Sequence, residues 1–403
     1  MKPFSYFGSK FQALSTPKIS LKTKIFWFLL IFIVSINVAI QITGNSYMYK
    51  ALIYTYADID DLDIFDTRKV DNATPQPWPV AADYNKRKPS DTLLRTLESF
   101  ESVEFVIIRN DSISYEQYWD HYEANTLSNS FSVAKSYIGT LTGFAVDEGK
   151  IKSIDEPVVH YLDWFNRDSL TRNLTIRQLL TMTANLNWDE KYSSLFSVTT
   201  QAYYGTNLDK LMKTMYVTSQ PGKMFNYQSG ATVLLAMIVE KATGRKVAEY
   251  ASDKLWKPLG AEHAAQWSLD YYDGQEKSFC CIYSTARDFA RLGQLYLDSG
   301  MWHGNQLLSK KWVAESTSPA PILDEDGTPN KSYGFQWWIT SYEGHKIFYA
   351  RGLNGQYIVV VPSKRLVMVR LGRRRGEPTT GPGHHLTDLD VYISEVMKMY
   401  PDM

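Results

Sequence analysis

The chain has 403 residues with 43 basic and 43 acidic side chains, so its formal charge is zero and gives no reason to expect nucleic acid as a partner. That length is enough for one large or two medium domains with a substantial core. The only cysteines are the adjacent Cys280 and Cys281, which form neither a disulfide framework nor a spaced metal-ligand set and read as two small buried side chains.

Residues 1–24 carry Lys2, Lys10, Lys18, Lys22 and Lys24 and no acid. The apolar run 25–42 follows, broken only by Ser35, Asn37 and Gln41. Its length is near the ~20 residues that span a bilayer and exceeds the ~7–15 of a signal-peptide core. No clear small-x-small cleavage site follows, and the lysines place the N-terminal side in the cytoplasm. The expectation is a single-pass inner-membrane anchor over 25–42, with the remaining chain outside the cytoplasm, in the periplasm. A cleaved signal peptide and a buried core helix are the alternatives. Residues 43–95, with Asp58, Asp60, Asp61, Asp63 and Asp66 and then Pro75, Pro77 and Pro79, read as a stalk and lead-in with a solvated acidic face.

From Ser102 the pattern changes. Residues 103–108 and 112–118 read as two strands joined by the turn Arg109-Asn110-Asp111. The apolar spacing of Ile138, Leu141, Phe144 and Ala145 predicts a helix after Lys135. Residues 150–315 are mostly helical in pattern, with Ala231 to Thr243 strongly apolar and closed by Gly244. Strands return at 333–339, 346–349, 357–361 and 366–371, and a last helix covers about 387–399. Strands at both ends with helices between predict an α+β fold: one antiparallel sheet built from both ends of a domain over 96–403, plus a helical lobe over about 150–315.

Three stretches carry candidate chemistry. Ser132 and Lys135, three apart at a helix start, lie on one face, so the lysine can reach back to the serine hydroxyl as the base partner of a nucleophile. Ser15 and Lys18 share the spacing but lie in the basic tail with Pro17 between them. Tyr227 precedes the apolar helix in a turn; an ammonium nearby favours its ionised form, and it can relay a proton to a leaving group. An anchored turn tyrosine is the alternative. Tyr349-Ala350-Arg351-Gly352-Leu353 enters a strand where glycine permits close approach by a ligand. A strand-edge amide there, with that of Ser132, can hold an oxyanion; a plain turn is the alternative. Trp188, Tyr192, Tyr203 and Tyr204 belong to core or pocket wall, and Arg373-Arg374-Arg375 to a solvated turn or the cleft rim. His384-His385 has no helical partner, and nothing in the sequence calls for a metal or cofactor.

Together these stretches resemble the serine β-lactamase-like superfamily of class C β-lactamases, D-alanyl-D-alanine carboxypeptidases, related esterases and 6-aminohexanoate-dimer hydrolases. The resemblance covers roughly residues 95 to 400 and includes Thr175–Thr183, Pro258-Leu259-Gly260 and Ala286-Arg287-Asp288. It implies Ser132 as acylated nucleophile, Lys135 and Tyr227 as the proton-transfer pair, and the amides of Ser132 and Leu353 as oxyanion hole. Trp188, Arg351 and Gly352 are then substrate-binding. Where the family's β-lactamases and penicillin-binding enzymes carry Lys or His, this chain has Ala350, and Arg351 stands near their Thr or Ser. That departure points to esters or linear amides, with cell-wall amides, β-lactams and a non-catalytic ligand-binding role as the competing readings.

Overall fold

The computed structural model describes residues 20–380 and 385–401. Most of the basic tail, including Ser15 and Lys18, lies outside the described residues, as does His384.

Helix α1 (Leu21–Ile42) starts four residues before the apolar run, where the Ser20 hydroxyl accepts from the Thr23 amide. None of its side chains is buried. Its 22 residues reach ~33 Å at the α-helical rise, enough to cross a bilayer's hydrocarbon.

The stretch expected to be a stalk is packed into the domain instead. Helix α2 (Tyr47–Tyr54) buries Tyr47 and Ala51, and Ile59, Val70 and Trp78 join the same core. Strand Thr67–Val70 pairs with Ala265–Ser268 in a four-stranded antiparallel sheet completed by Ile282–Ser284 and Ser128–Asn129. The acidic face is only partly solvated. Asp61 is buried and accepts from the Tyr203 hydroxyl at 2.7 Å, while Arg373 bridges Asp58, Asp60 and Asp120. Asp58, Asp60 and Asp61 have each found a donor more than a hundred residues away, which local spacing does not show.

The main sheet has six antiparallel strands in the order 112–118, 102–109, 366–372, 356–361, 345–352, 338–342. The two ends of the domain meet where Val106 faces Val369. Asn110 and Asp111 both take positive φ, which makes the first hairpin tight. Helix Ala286–Leu297 lies on this sheet. At Gly293 a Cβ would come within 2.5 Å of Val367 and 2.9 Å of Ile358, so helix and sheet approach to a distance only glycine allows. Beneath the sheet's far end, helices Ala134–Asp147 and Ser229–Thr243 pack together, the latter ending at Gly244 in the left-handed region.

Two local expectations need correction. The strand expected over 333–339 begins only at Trp338. Residues before it form irregular turns: Asn330 donates to the carbonyls of Ala320 and Tyr333, Gln336 takes φ +60°, and the Gly334 amide donates to the Trp337 carbonyl at 2.9 Å, which interrupts the strand. Cys280 and Cys281 are buried as expected, but their sulfurs are bonded to each other.

Candidate active site

Ser132 sits in a 3-10 turn, Phe131–Val133, one residue before helix Ala134–Asp147 begins. The turn is held from behind by the small sheet. Asn129 accepts from the Phe131 amide at 3.0 Å, and the Ser130 amide donates to the Ile282 carbonyl at 2.9 Å. Phe131 has φ +43°, a left-handed conformation costly for a side chain with a Cβ and tolerated here because both neighbours are fixed.

Lys135 is 2% exposed. Its Nζ donates to Ser132 Oγ at 2.9 Å and to the Phe279 carbonyl at 2.8 Å. Burial pulls its pKa down to about 8, with the Glu190 carboxylate opposing. Tyr227 has its ring 5.1 Å from the same Nζ and its hydroxyl bonded with Ser132. Its pKa moves opposite to the expectation. Burial and then Glu190 push it up, and Ser132, Arg351 and Arg375 offset this only partly. The resting pair is thus a lysine close to giving up its proton and a phenol that keeps its own.

Gly352 ends strand His345–Gly352 directly against the nucleophile turn, where a Cβ would press on the Ser130 carbonyl and Phe131. The chain then turns through Leu353–Gly355, with Asn354 at φ +59°, and Leu353 lines the space over Ser132. That turn is pinned by Arg370, fully buried, which donates to the carbonyls of Asn354, Gly355 and Arg374 at 2.8–2.9 Å.

The carboxylate that acts on both Lys135 and Tyr227 was not singled out from the sequence. Glu190 accepts from Trp188 Nε1 at 2.8 Å, Tyr192 at 2.6 Å, the Ser229 amide at 2.8 Å and the Ser229 hydroxyl at 2.5 Å. Four donors fix a carboxylate that acts on both Lys135 and Tyr227. An acid between two aromatic residues already under suspicion was the available signal. Trp188 itself corrects the expected substrate contact. It is buried, holds Glu190, packs on Gly230 and faces neither cavity beside Ser132.

Those cavities lie on either side of the nucleophile. One, of about 360 Å³, is lined by Glu190, Tyr227, Glu325, Trp338, Arg351 and Arg375. The Arg351 guanidinium lies 3.7 Å over the Trp338 ring. The other, of about 390 Å³, runs under α2 and the Tyr192–Leu195 loop toward Tyr203, Tyr204 and Phe279. Ser132, Tyr192 and Leu353 line both. No group of three or more His, Cys, Asp or Glu side chains able to hold a metal occurs among the described residues.

Residues 91–392 match the Beta-lactamase family model. A 6-aminohexanoate-dimer hydrolase of Paenarthrobacter ureafaciens is 29% identical over 318 residues, 75% of this chain and 80% of that protein. A solved structure from Bacillus anthracis, assigned as a 6-aminohexanoate-dimer hydrolase, superposes with a TM-score of 0.74 at 21% identity, covering 87% of this chain and 93% of that one. A family VIII carboxylesterase gives 0.60 at 15% identity, covering 80% and 99%. For the two solved structures the likeness is one of fold.

Proposed function

The chain belongs to the β-lactamase family and is a serine hydrolase of that fold, and from this we propose that it cleaves ester or linear amide bonds through an acyl-enzyme on Ser132. The carrying observation is the buried Lys135 Nζ, 2.9 Å from Ser132 Oγ, with a pKa drawn down to about 8. A neutral amine there takes the serine proton as Oγ adds to the substrate carbonyl carbon. The oxyanion so formed falls to the amides of Ser132 and Leu353. Tyr227 gives its phenol proton to the leaving oxygen or nitrogen as the bond breaks and regains one from Lys135. Water then repeats the sequence in reverse to free the acid. A relative named for hydrolysing a 6-aminohexanoate dimer, a linear amide, supports the choice of bond.

Helix α1 supports membrane anchorage, with the catalytic domain on the side away from the lysine-rich tail. The alternative substrate class, a cell-wall amide or β-lactam with a carboxylate beside the scissile bond, is favoured by Arg351 and Arg375 in the ionic cavity.

An intact-mass shift with a fluorophosphonate probe, present in the parent and absent in Ser132→Ala, tests the nucleophile; labelling that survives the substitution refutes it. Protease added to spheroplasts tests topology. The large domain should be digested and the N-terminal tail spared, and protection of the domain reverses the orientation.

A further inference from the structure

The cavity under α2 touches the nucleophile, yet nothing in the mechanism above uses it. Its walls are largely carbon, from Ala51, Leu52, Phe131, Leu195, Phe279 and Leu353. Hydroxyls along it are largely bound to the protein: Tyr203 donates to Asp61 at 2.7 Å, Thr199 to the Asp189 carbonyl at 2.7 Å, and Thr200 accepts from Ser197 at 2.9 Å. The buried Tyr204 hydroxyl, which lacks a partner, gives the wall one polar point. A flexible aliphatic chain suits such a compartment better than a charged or heavily hydrated group.

The position of α2 says where such a chain comes from. Tyr49 of α2 donates to Asn37 of α1 at 2.7 Å, so α2 folds back beside the last turns of the apolar helix. Asn37 is five residues from the end of α1, ~7.5 Å along its axis, so α2 lies beside the end of the helix at which a spanning segment leaves the hydrocarbon. About half of the exposed large apolar side chains outside α1 lie near this mouth: Leu52, Ile53, Tyr54 and Tyr56 on and just after α2, with Tyr192 and Phe196 on the loop beside it. Apolar side chains exposed at such a level sit favourably against lipid.

We propose that the cavity under α2 is the acyl-chain site, and that the substrate is a membrane-partitioned amphiphile whose aliphatic acyl group enters it from the bilayer surface. The inference rests on Ser132 acylation and names the acyl group. The chain lies under α2 with its carbonyl at Ser132, and the polar leaving group lies in the ionic cavity beside Tyr227.

The test uses the full-length protein and p-nitrophenyl esters from acetate to decanoate, each below its aggregation threshold. kcat/KM should rise about fourfold per added methylene until the cavity is filled. Ala51→Phe fills the buried wall and Leu52→Trp crowds the exposed mouth, so that one variant reports even if the other misfolds. Each should lower the octanoate-to-acetate ratio at least tenfold. A flat or falling chain-length profile with acetate still hydrolysed overturns the acyl site and leaves the hydrolase reading standing. No turnover of any ester and no acylation of Ser132 overturns both. For the source of the chain, a decanoyl ester diluted in phosphatidylcholine vesicles containing the protein should be cleaved faster than the same ester in solution, and Ile53→Glu should erase that advantage. An equal rate in both settings overturns the membrane source.

Discussion

The two cavities beside Ser132 are of similar size and opposite character. Under α2 the walls are aliphatic and aromatic, while across the nucleophile they carry Glu190, Glu325, Arg351 and Arg375 around Tyr227. Such a boundary splits a substrate at its scissile bond. In the proposed mechanism Tyr227 is the proton donor to the leaving group, which puts the departing half on the ionic side and leaves the apolar side for the acyl half. Affinity on the apolar side grows with area removed from water, whereas on the ionic side it depends on a few charge-assisted bonds with fixed geometry. The two sides therefore predict different responses to substitution.

Ser132→Ala removes what both compartments serve. kcat/KM should fall by on the order of 10⁴-fold or more for every substrate, whichever cavity it depends on. One hydroxyl bond is worth about 1 kcal/mol of stability, so thermal unfolding should barely move. A variant that keeps its rate on one substrate class would show a second catalytic route and break the shared-nucleophile picture.

Lys135→Met keeps the bulk of the side chain and removes the amine. A loss of about 10²–10⁴ is expected, again uniform across acyl chain length and leaving-group charge. Because the Phe279 carbonyl loses its donor, the melting temperature should also drop, unlike in Ser132→Ala. Unequal losses across acyl lengths would mean that the lysine shapes the apolar wall as well as moving the proton.

Arg351→Ala separates the compartments. Substrates with an anionic group beside the scissile bond should lose about tenfold to a hundredfold in kcat/KM, as expected for one charge-assisted bond. Neutral p-nitrophenyl esters should change less. Comparison with a chromogenic cephalosporin decides the branch. If the parent turns it over faster than the ester and the variant loses that preference, Arg351 replaces the cation missing at Ala350 and the β-lactam reading prevails.

The sequence showed the apolar side of this comparison least well. Ser132 and Lys135 stood out as candidates by their spacing, and Tyr227 and Gly352 by the resemblance that the three stretches carry together; the structure brings the four beside one another. The central sheet was legible because short continuous apolar runs bounded by turn residues read as strands, and 102–109, 356–361 and 366–372 are indeed buried on both faces. The α2 wall was not legible. Residues 43–95 are polar and proline-rich on average, and nothing local says that Tyr47 reaches the Leu195 carbonyl or that Asp61 meets Tyr203. Arg370 was likewise invisible, because its partners are backbone carbonyls of a turn fifteen residues away in sequence. Trp188 was noticed and misassigned, since burial against Gly230 depends on packing between segments forty residues apart.

Glu190 gives the smallest expected effect and the most specific one. In the proposed mechanism Lys135 takes the proton only when neutral, and with a pKa of about 8 roughly a tenth of it is neutral at pH 7 and half at pH 8. Log kcat/KM should therefore rise with unit slope below pH 8 and level off above it. The Glu190 carboxylate favours the ammonium and so holds that limb higher than burial alone would set it. Glu190→Gln removes the charge while keeping a side chain that can still accept from Trp188 or Ser229, so the limb should move to lower pH. Movement of this limb to lower pH identifies an electrostatic role. A purely structural role, holding Ser229 and Trp188 in place, would lower kcat with the limb where it was. Isothermal pH profiles of parent and variant on one neutral ester distinguish the two outcomes, because the substrate itself carries no titrating group.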